Sequence, residues 1–261
     1  MSTDPPPRTS LATESTVLAS RLLNQWRRSP TVPLQSLLFP TILLIVYDLL
    51  VGKSLTRLTG SDSLDVVVAM CALAGGFSGA LAAGLSIPAE RDSGLISRFW
   101  VQPIHRASAL TGILLAEAAR TLGATVLITV VGLLLGLRFH GGVAAAILFV
   151  VLPVLWVVVY ATIVVFVALR CQSRTLLTWL STVSLGAVFC NSAVVPMNLV
   201  PSWLQLVIRI QPMSPTVEAM QALARGGFAI GPLLGTFAWI AVLGAVVGSA
   251  AIRSYRTAAQ S

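Results

Sequence analysis

Charged residues are scarce in this chain of 261 residues. Only 10% of them are Asp, Glu, Lys or Arg and 56% are hydrophobic, whereas a soluble domain carries about 25% charged residues. Uncharged runs fill most of the chain, at 66–89, 121–137, 141–169, 175–208 and 226–252. Because a membrane-spanning helix needs about 20 apolar residues, so many long runs exclude a single soluble domain and indicate a polytopic membrane protein.

Alternation of polar and apolar residues is also missing from these runs, which are continuous Leu, Val, Ala and Ile. The strands of a membrane β-barrel would alternate over about 10 residues. The sequence therefore predicts an all-α membrane protein.

Metal ligands and paired thiols are few. Cys71, Cys171 and Cys190 are isolated from one another, and His105 and His140 each stand alone. A structural metal site needs several such ligands close together, so we expect no metal site. The three cysteines are expected to be small packing residues and not disulfide partners.

A nucleotide-binding motif is lacking as well. Gly52-Lys53-Ser54 resembles the end of a phosphate-binding loop, but that motif needs a glycine five positions before its second glycine, and Tyr47 stands there. Lys53 is the only lysine in the chain. No catalytic triad and no paired carboxylates have supporting context, which disfavours a membrane enzyme such as a lipid transferase. We expect no catalytic residue and no cofactor on this chain.

The apolar runs predict six spans, at about 34–51, 66–88, 107–136, 143–169, 176–198 and 230–252. Together they form a transmembrane domain over 31–253, followed by a short tail at 254–261. Two pieces between the fifth and sixth spans, 203–210 and 215–226, are too short to span. We expect them to be short re-entrant or interfacial helices that cover the outer mouth.

An amphipathic helix is predicted before the first span, over 13–30. Val17, Leu18, Leu22 and Trp26 recur at helical spacing with arginines beside them, which suits a helix lying at the membrane interface. Pro30 and Pro33 separate this helix from the first span. Residues 1–12 are polar and proline-rich, and we expect a disordered cytoplasmic tail there.

The arginines give the orientation. With a cytoplasmic N-terminus, eleven Lys and Arg residues fall on the inner side and five on the outer side. Basic residues favour the cytoplasmic side, so both termini are predicted to be cytoplasmic, with the chain in the cell membrane. The net charge of +8 then reflects this bias, and we expect no nucleic-acid partner.

Small residues recur on one face of the second span, at Ala72, Gly76, Ala80 and Gly84. Gly244 and Gly248 repeat the spacing in the sixth span. Such rows let helices approach closely. We expect them to pack within one subunit, with the contact between two subunits as the alternative.

Three ionisable residues fall inside predicted spans: Asp48, Glu117 and Arg120. Charges in lipid are costly and are candidates for function. Glu117 and Arg120 are three residues apart on one helix, so an ion pair is predicted. A structural pair is the favoured interpretation, and a role on the substrate path is the alternative. Asp48 is expected to reach interfacial water.

The loop after the second span differs from a simple turn. Leu95, Ile96, Phe99 and Trp100 stand at helical spacing with charged residues between them. This pattern predicts an amphipathic helix on the cytoplasmic face. It suits docking to a soluble partner, and passive anchoring to the membrane is the alternative.

The motifs in this loop and before the last span resemble those of a known family. Glu90-Arg91-Asp92-Ser93-Gly94-Leu95, followed by Pro103-Ile104-His105-Arg106, resembles the E-R-x-x-G-L…P-x-x-R stretch of ABC-2 type exporter permeases. Val200-Pro201-Ser202-Trp203-Leu204, followed by Gln211-Pro212-Met213-Ser214-Pro215, is similar to the outer signature of that family. The chain is most similar to the daunorubicin-resistance-type permeases of actinobacteria, from about residue 14 onward.

The resemblance implies a transmembrane subunit that works with two copies of a separate ATPase and with a second permease, identical or homologous. ATP and Mg would bind to the ATPase. The family's elbow helix corresponds to Glu14–Ser29 and its coupling helix to Glu90–Gln102. The residues expected to couple transport to the ATPase are Glu90, Arg91, Gly94, Leu95, Arg98, Phe99 and Trp100.

Relatives in this family export hydrophobic drugs or complex lipids, so the resemblance implies a lipophilic cargo that enters from the membrane lipids. Phe39, Phe77 and Phe189 are candidates to line its path. A permease for a polysaccharide or glycolipid is one alternative, but few aromatic residues fall in mid-span. A proton-coupled secondary transporter is another; Glu117 favours it, and the lack of visible internal repetition does not.

Overall fold

The described part of the computed structural model is entirely helical. It comprises residues 10–28, 31–47, 49, 64–92, 106–170, 174–192 and 200–257, and within these ranges there are nine α-helices and no strand. The all-α prediction is confirmed. The helices are α1 (Leu11–Arg28), α2 (Thr31–Tyr47), α3 (Leu64–Asp92), α4 (Arg106–Leu135), α5 (Gly142–Arg170), α6 (Arg174–Phe189), α7 (Ser202–Ile210), α8 (Met213–Ala224) and α9 (Ile230–Thr257).

Within the described residues, four helices are long and apolar enough to cross a membrane. Their apolar stretches are Leu64–Leu85 in α3, Leu110–Leu135 in α4, Gly142–Ala168 in α5 and Ile230–Gly248 in α9. They coincide with the predicted second, third, fourth and sixth spans. The predicted first and fifth spans coincide with the shorter apolar helices α2 and α6, which have 17 and 16 residues.

Helix α3 lies at the centre of the bundle. It contacts α2, α4, α5, α6 and α8, and 78% of its apolar stretch is buried, compared with 6% for α9. Lipid tails are as apolar as leucine side chains, so burial here cannot come from a hydrophobic driving force between helices; it depends on close packing and small residues.

The row of small residues on α3 makes this packing possible. A Cβ atom at Gly76 would overlap the Val157 side chain of α5, and one at Gly84 would overlap Val164, a further two turns along the same face of α5. The row therefore packs within this chain, as predicted. Gly244 of α9 allows only an ordinary contact, with Val159 at 3.8 Å, and Gly248 meets no described atom within 4 Å.

The two predicted short helices between the fifth and sixth spans are present as α7 and α8. Helix α8 is largely buried, although it has only 12 residues, and it contacts α3, α5 and α9. The indole Nε1 of Trp156 in α5 donates a hydrogen bond of 2.7 Å to the Thr216 hydroxyl of α8. Helix α7 instead leaves Trp203, Leu206 and Ile210 exposed, a pattern typical of an interfacial helix.

We predict that Gly84→Ala destabilises the bundle, because the new methyl group overlaps Val164. Overpacking of this kind costs about 1–3 kcal/mol. The measurement is the melting temperature of the purified protein in detergent, which should fall.

Gly248→Ala is the matched control, because a methyl group at position 248 meets no described atom within 4 Å. The melting temperature of this variant should not fall. The double variant Gly84→Ala/Val164→Ala should recover part of the loss. An unchanged melting temperature in Gly84→Ala alone would contradict this account of the α3–α5 contact.

Candidate functional site

The predicted coupling segment begins at the end of α3. Glu90 and Arg91 lie in its last turn, because α3 continues through Pro88 and ends at Asp92. The first residues of the segment are thus part of the second-span helix and not the start of a separate one. The other predicted coupling residues lie outside the described residues: Gly94, Leu95, Arg98, Phe99 and Trp100.

This continuity connects the segment to the core of the protein. The backbone hydrogen bonds of a helix make it a stiff element with a rise of about 1.5 Å per residue. The same helix that carries Glu90 and Arg91 contacts five other helices further along. A force applied at its end therefore acts on the centre of the bundle.

Helix α4 begins at Arg106, just beyond the segment, and α1 packs against its first turns. The Ser15 hydroxyl of α1 lies 2.5 Å from the Thr111 hydroxyl of α4. Gly112 allows the two backbones to approach, since a Cβ atom there would lie 2.8 Å from the Leu18 Cβ. Ser15 and Ala19 form the buried face of α1 with Glu14.

Sequence reasoning predicted the α1 helix but not this face. Of the apolar positions singled out for membrane contact, Val17 is exposed, whereas Leu18 lies against Gly112 of α4 beside the small and polar side chains that complete the contact. Helix α1 thus lies beside the start of α4, the helix that follows the predicted coupling segment in the sequence. The sequence feature that marks this contact is Gly112. It lies on α4, so the residue pattern of α1 alone could not indicate it.

The predicted ion pair between Glu117 and Arg120 is present and buried between α3 and α4. The Arg120 Nη2 donates to the Glu117 Oε2 at 2.6 Å, and Arg120 Nε donates to the same oxygen at 3.1 Å. Arg120 Nη2 also donates to the Gly76 carbonyl of α3 at 3.1 Å. The side chains of Glu117 and Arg120 are only 1% and 4% exposed.

Gly79 makes the site for the guanidinium. A Cβ atom there would overlap the guanidinium of Arg120, so only glycine leaves room for the charged group against α3. Gly79 stands beside Ala80 of the row of small residues seen in the sequence, but its partner on another helix was not predicted. The ion pair on α4 therefore also contacts α3. The spacing of Glu117 and Arg120 along a single helix could not reveal that contact.

The three phenylalanines predicted to line a path lie in different environments. Phe39 on α2 is 51% exposed, whereas Phe77 on α3 is buried and contacts the Tyr160 ring with centroids 4.5 Å apart. Phe189 ends α6 and is partly buried against the core. Their role on a cargo path stays a prediction.

A second ion pair, not predicted from the sequence, joins α3 to the hairpin of α7 and α8. The Arg225 Nε, at the C-terminal end of α8, lies 2.6 Å from the Asp65 Oδ2 in the first turn of α3. Glu218 of α8 accepts a hydrogen bond from the Ser192 hydroxyl beyond α6. These contacts hold the hairpin at the opposite end of α3 from Glu90. Asp48 lies outside the described residues.

We predict that Arg120→Ala destabilises the protein strongly, because it leaves the Glu117 carboxylate buried without its partner. Removing one member of a buried pair costs about 3–5 kcal/mol, whereas replacing both by apolar groups is often close to neutral. The double variant Glu117→Leu/Arg120→Met should therefore have a higher melting temperature in detergent than Arg120→Ala. A lower melting temperature for the double variant than for Arg120→Ala would show that Glu117 and Arg120 do not stabilise the protein as a pair.

The comparisons with known proteins agree with this architecture. Residues 14–224 match the model of the family described as ABC-2 type transporter. The chain is 30% identical over 239 residues to the probable doxorubicin resistance ABC transporter permease protein DrrC of Mycobacterium tuberculosis, which covers 92% of this chain and 87% of that protein. It is 24% identical over 210 residues to the putative transport permease ycf38 of Cyanophora paradoxa, with 79% and 72% covered. The chain belongs to the ABC-2 type transporter family.

Proposed function

We propose that this chain is the transmembrane subunit of an ATP-binding-cassette exporter that moves lipophilic drugs or complex lipids out of the cell. The observation that carries this proposal is the 30% identity, over 92% of the chain, to a protein named as a doxorubicin resistance permease. Four span-length apolar helices support a passage through the membrane.

The energy for transport is proposed to come from another chain. The sequence has no phosphate-binding loop, because Tyr47 occupies the position of its first glycine. We infer that ATP and Mg bind to a separate ATPase, present in two copies, and that this chain performs no chemistry. A second permease, identical or homologous, completes the assembly. Large apolar side chains exposed on α2 and α6, such as Ile42 and Trp179, are available to contact it or the lipid.

The proposed membrane layout has six spans with both termini in the cytoplasm of a cell-membrane protein. Helices α2 and α6 are about 25 Å long at 1.5 Å per residue, close to the hydrocarbon thickness of about 30 Å. We infer that they belong to the first and fifth spans. The excess of arginines on the predicted inner side supports the orientation.

Coupling to the ATPase is proposed to run through Glu90–Gln102. Glu90 and Arg91 continue α3, the most buried of the described span-length helices, so a push on this segment would act on the core. Phe99 and Trp100 supply apolar anchors for a groove on the ATPase, and charges at the rim would set its angle. Helix α4, which follows the segment in the sequence, contacts α1 at its start, so the helices on both sides of the segment pack within the bundle.

We predict that vesicles containing this chain and a co-expressed P-loop ATPase take up doxorubicin only when ATP and Mg are present, while the chain alone hydrolyses no ATP. Trp100→Ala should lower both transport and the amount of co-purified ATPase. Truncating an aromatic anchor at an interface costs about 2 kcal/mol or more, which is roughly a 30-fold loss of affinity.

Trp203→Ala is the matched control, because Trp203 lies exposed on α7, far along the sequence from the coupling segment. Its ATPase association should equal that of the unchanged chain. ATP hydrolysis by the pure chain would overturn the proposed division of labour. Normal ATPase binding by Trp100→Ala, with poor membrane insertion, would instead support a passive anchor at 90–102.

A fusion test addresses the proposed orientation. Alkaline phosphatase, which is active only outside the cytoplasm, should be inactive when fused after Ser261 and active when inserted at Gly141, between α4 and α5. Green fluorescent protein fused after Ser261 should fluoresce. Phosphatase activity at Ser261 would contradict the proposed layout, in which both termini are cytoplasmic.

A further inference from the structure

A row of polar residues runs along one buried face of α4. Glu117, Thr121, Thr125 and Thr129 are spaced four residues apart, so they share a face of the helix. The row extends about 18 Å at a rise of 1.5 Å per residue, and Arg120 lies beside its start. Each of these side chains is less than one-tenth exposed, although the helix crosses the apolar part of the protein.

The row faces α3. A Cβ atom at Gly76 of α3 would lie 3.2 Å from the Thr121 methyl group, and one at Gly132 of α4 would lie 2.8 Å from a methyl group of Val68 of α3. Thr125 and Thr129 lie between these two contacts on α4. We name this contact, from Glu117 to Gly132 on α4 and from Val68 to Gly79 on α3, the α3–α4 seam.

Four polar atoms in the seam have no hydrogen-bond partner among the described residues. They are Glu117 Oε1, Arg120 Nη1, Thr125 Oγ1 and Thr129 Oγ1. The α3 residues of the seam are apolar or glycine except for Cys71 and Ser78, and the Ser78 hydroxyl already donates to the Gly75 carbonyl. A buried polar group left without a partner costs about 1–3 kcal/mol, so the closed seam carries several such penalties at once.

Thr125 and Thr129 differ from five other threonines in the described helices. A helical threonine can donate to the carbonyl four residues earlier, and this bond is present at five positions: Thr41, Thr162, Thr182, Thr216 and Thr236. Thr125 and Thr129 do not make it. Their hydroxyls thus remain available for another partner at no loss of a helix hydrogen bond.

We propose that the α3–α4 seam opens to water during the transport cycle, and that Glu117, Arg120, Thr125 and Thr129 then form the polar wall of an aqueous route beside α4. Opening supplies water to all four atoms, which offsets the loss of contact between the helices. Such a wall suits the hydrogen-bonding part of an amphipathic cargo, whose apolar part remains in contact with lipid or apolar helices. This inference rests on the proposed function, because it assigns a stretch of the cargo route.

The seam is tested by the reaction of introduced cysteines with a membrane-impermeant methanethiosulfonate that carries a quaternary ammonium group. The full chain is used with its ATPase, with Cys71, Cys171 and Cys190 replaced by serine. Thr125→Cys and Thr129→Cys should react, and several-fold faster with ATP than without it. Cysteine is close to threonine in size, so these two substitutions should leave the closed seam intact.

Two control positions separate seam opening from general loosening. Ala161→Cys lies in the equally buried contact of α3 with α5, between Val157 and Val164, and Leu127→Cys lies on the exposed, apolar face of α4. Neither should react. Equal reaction at Ala161→Cys, or no reaction at 125 and 129 while the complex transports, would overturn the proposal. If the cysteines at positions 125 and 129 react but the chain binds no ATPase, the result would support opening of the seam and would contradict the proposed function.

A second measurement does not depend on cysteine chemistry. Thr125→Val/Thr129→Val keeps the side-chain shape and removes only the unpartnered hydroxyls, which is neutral or stabilising for a closed seam. The melting temperature should stay equal or rise, while ATP-driven transport should fall. Thr236→Val is the control, since it removes a hydroxyl that donates to the Pro232 carbonyl and should not raise the melting temperature. Unchanged transport in the double variant would overturn the proposal.

Discussion

The structure depends on how closely other helices can approach α3. Lipid provides little net drive for apolar helices to associate, so contact between backbones and between small residues must supply the attraction. Gly76 and Gly84 bring α5 against one side of α3, and Gly79 admits a charged group from α4 on another. A methyl group at Gly76 or Gly84 would push α5 away from α3, and one at Gly79 would displace the Arg120 guanidinium.

The same close approach decides where charge can be buried. The guanidinium of Arg120 reaches the Gly76 carbonyl and the Glu117 carboxylate because position 79 has no side chain. A charged pair is expensive to bury unless its geometry is good, and here one helix supplies both charges while the other supplies space and a carbonyl oxygen. The glycines of α3 therefore allow close packing of helices and also leave room for a buried charged group.

Helix α3 also connects the two ends of the protein. Its first turn holds Arg225, at the end of α8, through Asp65, and its last turn carries Glu90 and Arg91. Contacts at one end can influence the other because one continuous helix joins them. In the exporter proposed above, a partner at the Glu90 end would act through this helix on the α3–α4 seam.

The sequence by itself determined the helical class, the membrane location, four of the spans, the two short helices before α9 and the family. These features follow from local composition and from short motifs, and both can be recognised along the chain without knowledge of its fold. It also determined the Glu117–Arg120 pair, because the two residues are three apart on one helix. Only the tertiary structure decided which helix is central, that Gly79 holds Arg120, that Asp65 meets Arg225 and that α1 packs on α4 through Ser15. Each of these contacts joins residues far apart in the chain, and the packing of whole helices, not any local pattern, brings them together.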